Sequence, residues 1–529
     1  MRAEGCRSAF VAVLASIAVV SATAADPEVD KIFAKYTSST PGCAVGVATG
    51  GKPVLAKGYG LADLEHDVPI TPDSIFEAGS VSKQFTAAAV LMLAREGQLS
   101  IDDPVRKFIP ELPDYGTPLT IRHMLNHTSG LRDWGSVESI AGWPRTSRVY
   151  THAHVLDIVS RQTSLNFTPG THWSYSNTGF NLAAIIVSRV SGKAFADFER
   201  ERIFAPLGMT HTSWRDDFTR IVKGRAIAYA ERDRAFRTQM PFENVYGNGG
   251  LLTTVGDLLK WNENFTSPVI GDLSFVEEQQ RAGHFADGTP HLYALGLYVR
   301  TYKGVREVSH SGSTAGYRAF LTRYPDQHVS VAVLCNVASA NATQFAHQIA
   351  DLYLGDRLKP APDSRPTAAQ LTAAKGLYRS TLTGQPLTIG GDRNTLGSRT
   401  WTFDAKTASA KDEHGAVEVY ERVEPAKPSP DDLQVYAGTY VSEEAETVLT
   451  AAVERGKLVL KRRPSTTIAL TPQYADAFTS GGDPSASDPE APGGSGQIGA
   501  VIFRRDADGK VNALSVVQER VWDLRFARR

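Results

Sequence analysis

Apolar positions along the chain change their spacing several times, and each change predicts a different element. Ala9 to Val20 is a continuous apolar run, preceded by Arg2 and Arg7 and followed by Ser21-Ala22-Thr23-Ala24. A basic start, a short apolar stretch and a small-residue end predict a secretory signal. The run is shorter than the roughly 20 residues that a membrane-spanning helix needs. Residues 1–24 are therefore read as a signal peptide, with a mature chain from Ala25. Cys43 to Ala48 and Pro53 to Tyr59 predict two strands around the glycine-bearing turn Thr49-Gly50-Gly51-Lys52. From Ser80 to Gln98 the period becomes helical. Phe85, Ala88, Ala89, Met92 and Leu93 share one face, and Gly97 ends the helix. The region from about 120 to 265 reads as mostly helical. Strand signals return at Arg306–Val308, Tyr317–Tyr324 and Val329–Asn336, and a helix follows from about Ala342 to Tyr353. Strands at both ends of this region flank a helical middle. A single sheet built from both ends hides the most strand edge.

Three prolines between Leu358 and Pro366 mark an extended linker, taken as 358–369. Beyond it the pattern turns to short strands. Gly376-Leu377-Tyr378-Arg379-Ser380 recurs as Gly438-Thr439-Tyr440-Val441-Ser442, which suggests two related β units, 370–430 and 431–529. Arg455-Gly456 and Asp508-Gly509 are hairpin signals, and Gly481 to Gln497 has the composition of a loop.

Composition narrows the function. The 529 residues carry 56 Lys+Arg against 57 Asp+Glu, a formal charge of −1. That leaves no electrostatic footprint for nucleic acid or an anionic membrane. Three cysteines exclude a disulfide scaffold and any multi-cysteine metal site. The mature chain is expected to be soluble, without membrane insertion, and to need no cofactor or metal.

Three short patterns carry chemistry. Ser80-Val81-Ser82-Lys83 puts a hydroxyl and an ammonium one turn apart on one face of the predicted helix start. Free N–H groups there suit a developing oxyanion, and a buried lysine helps to activate a serine. Alone, the pattern is equally an N-cap serine and an ordinary lysine. Tyr175-Ser176-Asn177 follows Pro169-Gly170, and in extended backbone positions i and i+2 point the same way. A tyrosine beside an ammonium can have its pKa drawn down from about 10 and act as a base. Asn177 offers a neutral donor and acceptor. Tyr246-Gly247-Asn248 repeats the pattern, but it runs into Gly249-Gly250, where tight backbone explains it. His310-Ser311-Gly312 lies at a strand end, where Gly312 lets a substrate approach the backbone.

In this order, the three patterns resemble those of the serine β-lactamase and penicillin-binding-protein superfamily, and more closely its class C-like esterase and D-aminopeptidase branch. Ser80 and Lys83 match its Ser-x-x-Lys, Tyr175 and Asn177 its Tyr-x-Asn, and His310 and Gly312 its Lys-Thr-Gly or His-x-Gly. The phrases Phe76-Glu77-Ala78-Gly79, Leu125-Asn126-His127-Thr128-Ser129-Gly130 and Gly249-Gly250-Leu251-Leu252-Thr253-Thr254 resemble the family as well. The likeness covers about 30 to 355. It implies an α/β fold for 25–357, an antiparallel sheet flanked by helices beside a helical region, followed by all-β lipocalin-like units.

The resemblance also implies an acyl-enzyme mechanism. Ser80 attacks a carbonyl. Tyr175, coupled to Lys83, accepts and returns protons, so the pair titrates together. Backbone N–H groups of Ser80 and Ser313 form the oxyanion hole, and Asn177, His310 and Gly312 line the substrate site. The departure from Lys-Thr-Gly matters, because a histidine with an ordinary pKa near 6.5 is mostly neutral at pH 7. The expected function is an exported, periplasmic or secreted, serine hydrolase acting on a small-molecule or peptide ester or amide, D-amino-acid peptides included. A β-lactamase or DD-peptidase is the alternative enzyme, and a module that binds cell-wall peptides or another protein the non-catalytic one. Oligomeric state has no signature in the sequence.

His123 and His127, four apart, have a metal-like spacing but no evident third ligand. In the family, the strands that begin at Cys43 and end at Cys335 are antiparallel neighbours. A disulfide is geometrically open there, and two buried thiols are the expectation.

Overall fold

Cys43-Ala44-Val45-Gly46-Val47-Ala48 has no polar side chain over six positions because the strand Cys43–Thr49 is buried on both faces. The computed structural model describes residues 27–143, 148–359, 365–390, 396, 399–412, 415–480 and 498–529. The expected signal peptide, residues 1–24, positions 360–364 of the linker and the stretch 481–497 read as a loop lie outside the described residues. The strand occupies the interior of a six-stranded antiparallel sheet. In spatial order the sheet runs Tyr298–Tyr302, Val305–Thr314, Tyr317–Tyr324, Val329–Cys335, Cys43–Thr49, Lys52–Tyr59. Both ends of the region thus build one sheet, joined where Cys43–Thr49 pairs with Val329–Cys335. Tyr298–Tyr302 is an edge strand that the hydropathy pattern does not announce; none of its residues is fully buried.

Alternation sends the two faces into two cores. Cys43, Val45, Val47, Val331 and Val333 pack with Phe345 and Ile349 of the helix Ala342–Leu354. Ala44, Ala48, Ala332 and Leu334 belong to the second, larger core, with Leu258 and Leu259 of the helix Val255–Glu263. The helix packs closely at Gly46, where a Cβ would sit 3.0 Å from Leu259 Cδ1 and 3.2 Å from Val255 Cβ. The two-thiol expectation is corrected by the structure: Cys43 and Cys335 form a disulfide. The register sets them directly opposite each other on neighbouring strands, and that pairing brings the sulfurs together.

The helix expected from Ser80 begins as a 3-10 turn, Gly79–Ser82, and continues as the α-helix Lys83–Arg95. It packs against the helix Asn177–Ser191 in the larger core. Among the described residues, no helix is long and apolar enough to cross a membrane.

Among the described residues, five strands between Gly376 and Arg422 form one sheet, and eight strands between Gly438 and Arg528 form a closed antiparallel barrel. The Gly-x-Tyr repeat opens each unit, and both copies make the same contacts. Tyr378 Oη donates to Ala374 O at 2.8 Å, and Tyr440 Oη to Tyr436 O at 2.7 Å, each four residues back. Arg422 lies over the Tyr378 ring and Arg528 over the Tyr440 ring, crossing where Gly376 and Gly438 lack a Cβ. The barrel is held against the helical region. Arg132 donates to Glu444 (3.1 Å) and Asp523 O (2.9 Å), Arg462 to Ile140 O (2.9 Å), and Thr447 to Ala141 O (3.1 Å).

Candidate active site

Ser80 owes its position to two glycines. Gly79 has φ +51°, and a Cβ there would lie 2.7 Å from Ser313 N. A Cβ on Gly312 would lie 2.0 Å from Ala78 O. The turn that carries Ser80 therefore presses directly on the strand Val305–Thr314, at Gly312 and Ser313. From the other side, Ala78 N donates to Leu251 O at 2.8 Å, and Leu251 N donates to Ser82 Oγ at 3.1 Å. Below, Glu77 is wholly buried. Its carboxylate takes two hydrogen bonds from Arg215, at 2.8 and 3.0 Å, and one from Arg225 at 3.3 Å. Ser80 itself is buried.

Lys83 is fully buried beneath it. Its Nζ donates to Ser80 Oγ at 3.0 Å, to Asn177 Oδ1 at 2.8 Å and to the backbone O of Asn248 at 2.7 Å. These three contacts tie the lysine to Ser80, to the Asn177 helix and to the Asn248 segment at once. Asn177 is the first residue of its helix, and its backbone N–H is held by Asp133 Oδ2 at 2.8 Å.

Tyr175 is half-buried beside this pair, its ring centroid 4.8 Å from Lys83 Nζ. His127 packs on the same ring at 4.2 Å, and its Nδ1 accepts from the backbone N–H of Ser176 at 3.2 Å, which fixes the Tyr-x-Asn segment. The His310 ring centroid is 6.4 Å from that of Tyr175. His310 Nε2 is 2.8 Å from Tyr293 Oη, and Nδ1 is 2.6 Å from Ser311 O. Burial, reinforced by the charge of Lys83, pushes the His310 pKa down to about 3. His310 is therefore neutral at pH 7 and adds no charge to the site.

Every sequence-predicted site residue, Ser80, Lys83, Tyr175, Asn177, His310, Gly312 and Ser313, lies in this one region. The sequence reading missed three others. Asn248, set aside as part of a chance repeat, supplies a backbone carbonyl to Lys83, while its side chain accepts from Asn181 at 2.6 Å. Tyr293 holds His310. Arg520, from the barrel, places its guanidinium carbon 4.7 Å from the Tyr175 ring centroid. A backbone ligand and a partner from a remote domain leave no local motif.

His123 and His127 do not act as a pair. His123 Nδ1 caps its own helix through Thr120 N, and His127 turns to Tyr175. Among the described residues, one trio has metal-like proximity, Asp63, Glu65 and His66. It lies at the surface, with His66 Nδ1 2.7 Å from Asp63.

With a sheet flanked by helices and a Ser-Lys pair set against a strand edge, the chain has the β-lactamase/transpeptidase fold. The penicillin-binding protein homologue from Pyrococcus abyssi, an octamer, matches it with a TM-score of 0.55 at 24% identity, over 83% of this chain and 97% of that one. Residues 29–354 match the family described as Beta-lactamase, and the chain belongs to that family. A D-aminopeptidase of Brucella canis is 28% identical over 330 residues, which cover 62% of this chain and 62% of that protein. Penicillin-binding protein 4* of Bacillus subtilis is 30% identical over 310 residues, or 55% of this chain and 66% of that protein. The chain thus spans less than two thirds of the length of either relative.

Proposed function

We propose that this protein is an exported serine hydrolase that forms an acyl-enzyme on Ser80 and cleaves an ester or amide, with D-amino-acid peptides and amides the leading class. The observation that carries this reading is the Lys83 ammonium, donating to Ser80 Oγ at 3.0 Å while Asn177 and Asn248 take its other two protons. A lysine so occupied stabilises the alkoxide as it forms but does not take the serine proton. That role falls to Tyr175, whose ring lies against the same ammonium. Ser80 Oγ then bonds to the carbonyl carbon, and the carbonyl oxygen meets the backbone N–H groups of Ser80 and Ser313. The proton returns from Tyr175 to the leaving amine or alcohol. Water, activated by the same tyrosine, releases the acyl group and restores Ser80. The D-aminopeptidase relatives support the D-amino-acid class. The neutral His310 supports it too, since it lacks the fixed charge of a lysine at that place.

The test is a panel of D- and L-amino-acid amides, simple esters and a chromogenic cephalosporin, assayed with the wild type and Ser80→Ala. The expected result is turnover of D-amides or esters that Ser80→Ala abolishes while the melting temperature stays unchanged. Activity retained in Ser80→Ala would sink the assignment. Preferential opening of the cephalosporin would replace the substrate class.

A further inference from the structure

Tyr246-Gly247-Asn248 repeats the Tyr-x-Asn spacing, yet it meets the candidate site through its backbone: Asn248 O accepts from Lys83 Nζ at 2.7 Å. The segment belongs to no helix or strand, so the place of that carbonyl depends on the side chains that hold the loop. Two helices supply them. Thr86 stands three residues after Lys83 on the helix Lys83–Arg95, and its Oγ1 donates to Gly247 O at 2.8 Å. Asn181 stands four residues after Asn177 on the helix Asn177–Ser191, so the two amides share one helix face. Asn181 Nδ2 donates to Tyr246 O at 2.8 Å and to Asn248 Oδ1 at 2.6 Å. A Cβ on Gly247 would lie 2.8 Å from Phe180 O, which shows how closely the loop lies on that second helix. Chemistry fixes which way the Asn181 amide points. The Trp134 indole N–H can only donate, and it reaches Asn181 Oδ1 at 2.9 Å, while the Tyr246 carbonyl can only accept.

We propose that Asn181 and Thr86 are positioning residues that aim Lys83 at Ser80 through the loop carrying the Asn248 carbonyl. The inference rests on Ser80 being the nucleophile. Asn177 Oδ1 and Asn248 O both accept from Lys83 Nζ, and together they fix two of its N–H directions. A further tetrahedral position then faces Ser80 Oγ, 3.0 Å away. Asn177 is carried on its helix, whereas the Asn248 carbonyl sits on an irregular loop. One helix thus sets both acceptors, the first through Asn177 itself and the second through Asn181. Asn181 and Thr86 are fully buried, so a loop released by either leaves polar groups unpaired and shifts to find new partners. A shift of about 1 Å in a group that aims the reacting atoms can cost about 100-fold in rate. Neither residue touches Ser80 in this arrangement, so the loss falls on the bonding step and not on reversible binding.

The test measures both constants of fluorophosphonate labelling at Ser80, the reversible KI and the bonding rate constant kinact, beside the melting temperature. Asn181→Ala should lower kinact by about tenfold or more with KI unchanged. Thr86→Val, which removes one hydroxyl at nearly constant shape, should lower kinact less, again with KI unchanged. Trp134→Phe removes the donor on the far side of the Asn181 amide and leaves both loop hydrogen bonds. It should lower the melting temperature while kinact stays at the wild-type value. Wild-type kinact in Asn181→Ala would overturn the proposal, as would a rise in KI alone. So would an equal loss of kinact in Trp134→Phe, which would make labelling a measure of core stability. If Asn181→Ala does not fold, Thr86→Val decides, and wild-type kinact there would overturn the proposal. Failure of Ser80 to label in the wild type would instead strike the acyl-enzyme reading.

Discussion

Lys83 is the residue on which the site turns. It ties together Ser80 from its own helix start, Asn177 from a second helix and Asn248 from a third segment. With Lys83 donating to these acceptors, Tyr175, whose ring lies against the same ammonium, is the base in the proposed mechanism. Tyr175→Phe should therefore lower kcat by roughly 10²–10⁴-fold, the usual worth of a general base, with the melting temperature unchanged. The buried histidines make a separate prediction. The His310 pKa is pushed down to about 3, and those of His152 and His291 to about 4, by burial above all. The unfolded imidazole titrates near 6.5, so below that pH the unfolded chain binds more protons than the native one. Stability is full above pH 6.5 and falls as the pH drops toward these values. At about 1.4 kcal/mol per pKa unit, His310 alone should remove roughly 2 kcal/mol by pH 5, read as a lower urea midpoint than at pH 7.5. The kcat profile should show no inflection near 6.5 from His310. Ser80, Lys83, Tyr175, Asn177 and His310 were legible because side chains of fixed type stand at fixed short spacing. Asn248 was not, because it contributes a carbonyl that any residue would carry.

At the scale of elements, chemistry depends on a turn pressed against a strand. Gly79 and Gly312 allow the approach, and the buried Glu77 with Arg215 and Arg225 anchors the turn from below. Removing one partner strands the other charges in the core. Glu77→Ala should cost roughly 3–5 kcal/mol in urea unfolding, more than an exposed pair. The interior strands were legible because burial on both faces leaves unbroken apolar runs, as in Cys43–Ala48 and Val331–Cys335. Tyr298–Tyr302 was not, since it lies at the sheet edge with Arg300 and Thr301 on it and makes no such run. The start of the serine helix was placed to within a residue, but its 3-10 geometry follows from the contacts of Gly79 and not from helical period.

The whole molecule is closed by two long-range features. The disulfide joins residues 292 apart, across the strands that unite the two halves of the sheet. Replacing both cysteines by serine should cost roughly 2–4 kcal/mol by denaturant titration, through the larger freedom of the unfolded chain. The cysteines were visible in the sequence, but their bond depends on strand register, which hydropathy does not encode to the residue. The barrel was legible as hairpins and a repeat. Its docking was not, because Arg132, Asn166, Arg520 and Trp522 mean something only once the two regions meet. That meeting places a barrel arginine, Arg520, beside Tyr175 of the candidate site.

The most direct measurement is fluorophosphonate labelling of the folded protein, with the adduct mapped by peptide mass. The geometry of Lys83 and Ser80 predicts one adduct, on Ser80, lost when Lys83 is replaced by methionine. A folded protein with Ser80 unmodified, or labelled equally well without Lys83, would contradict an activated nucleophile at this site.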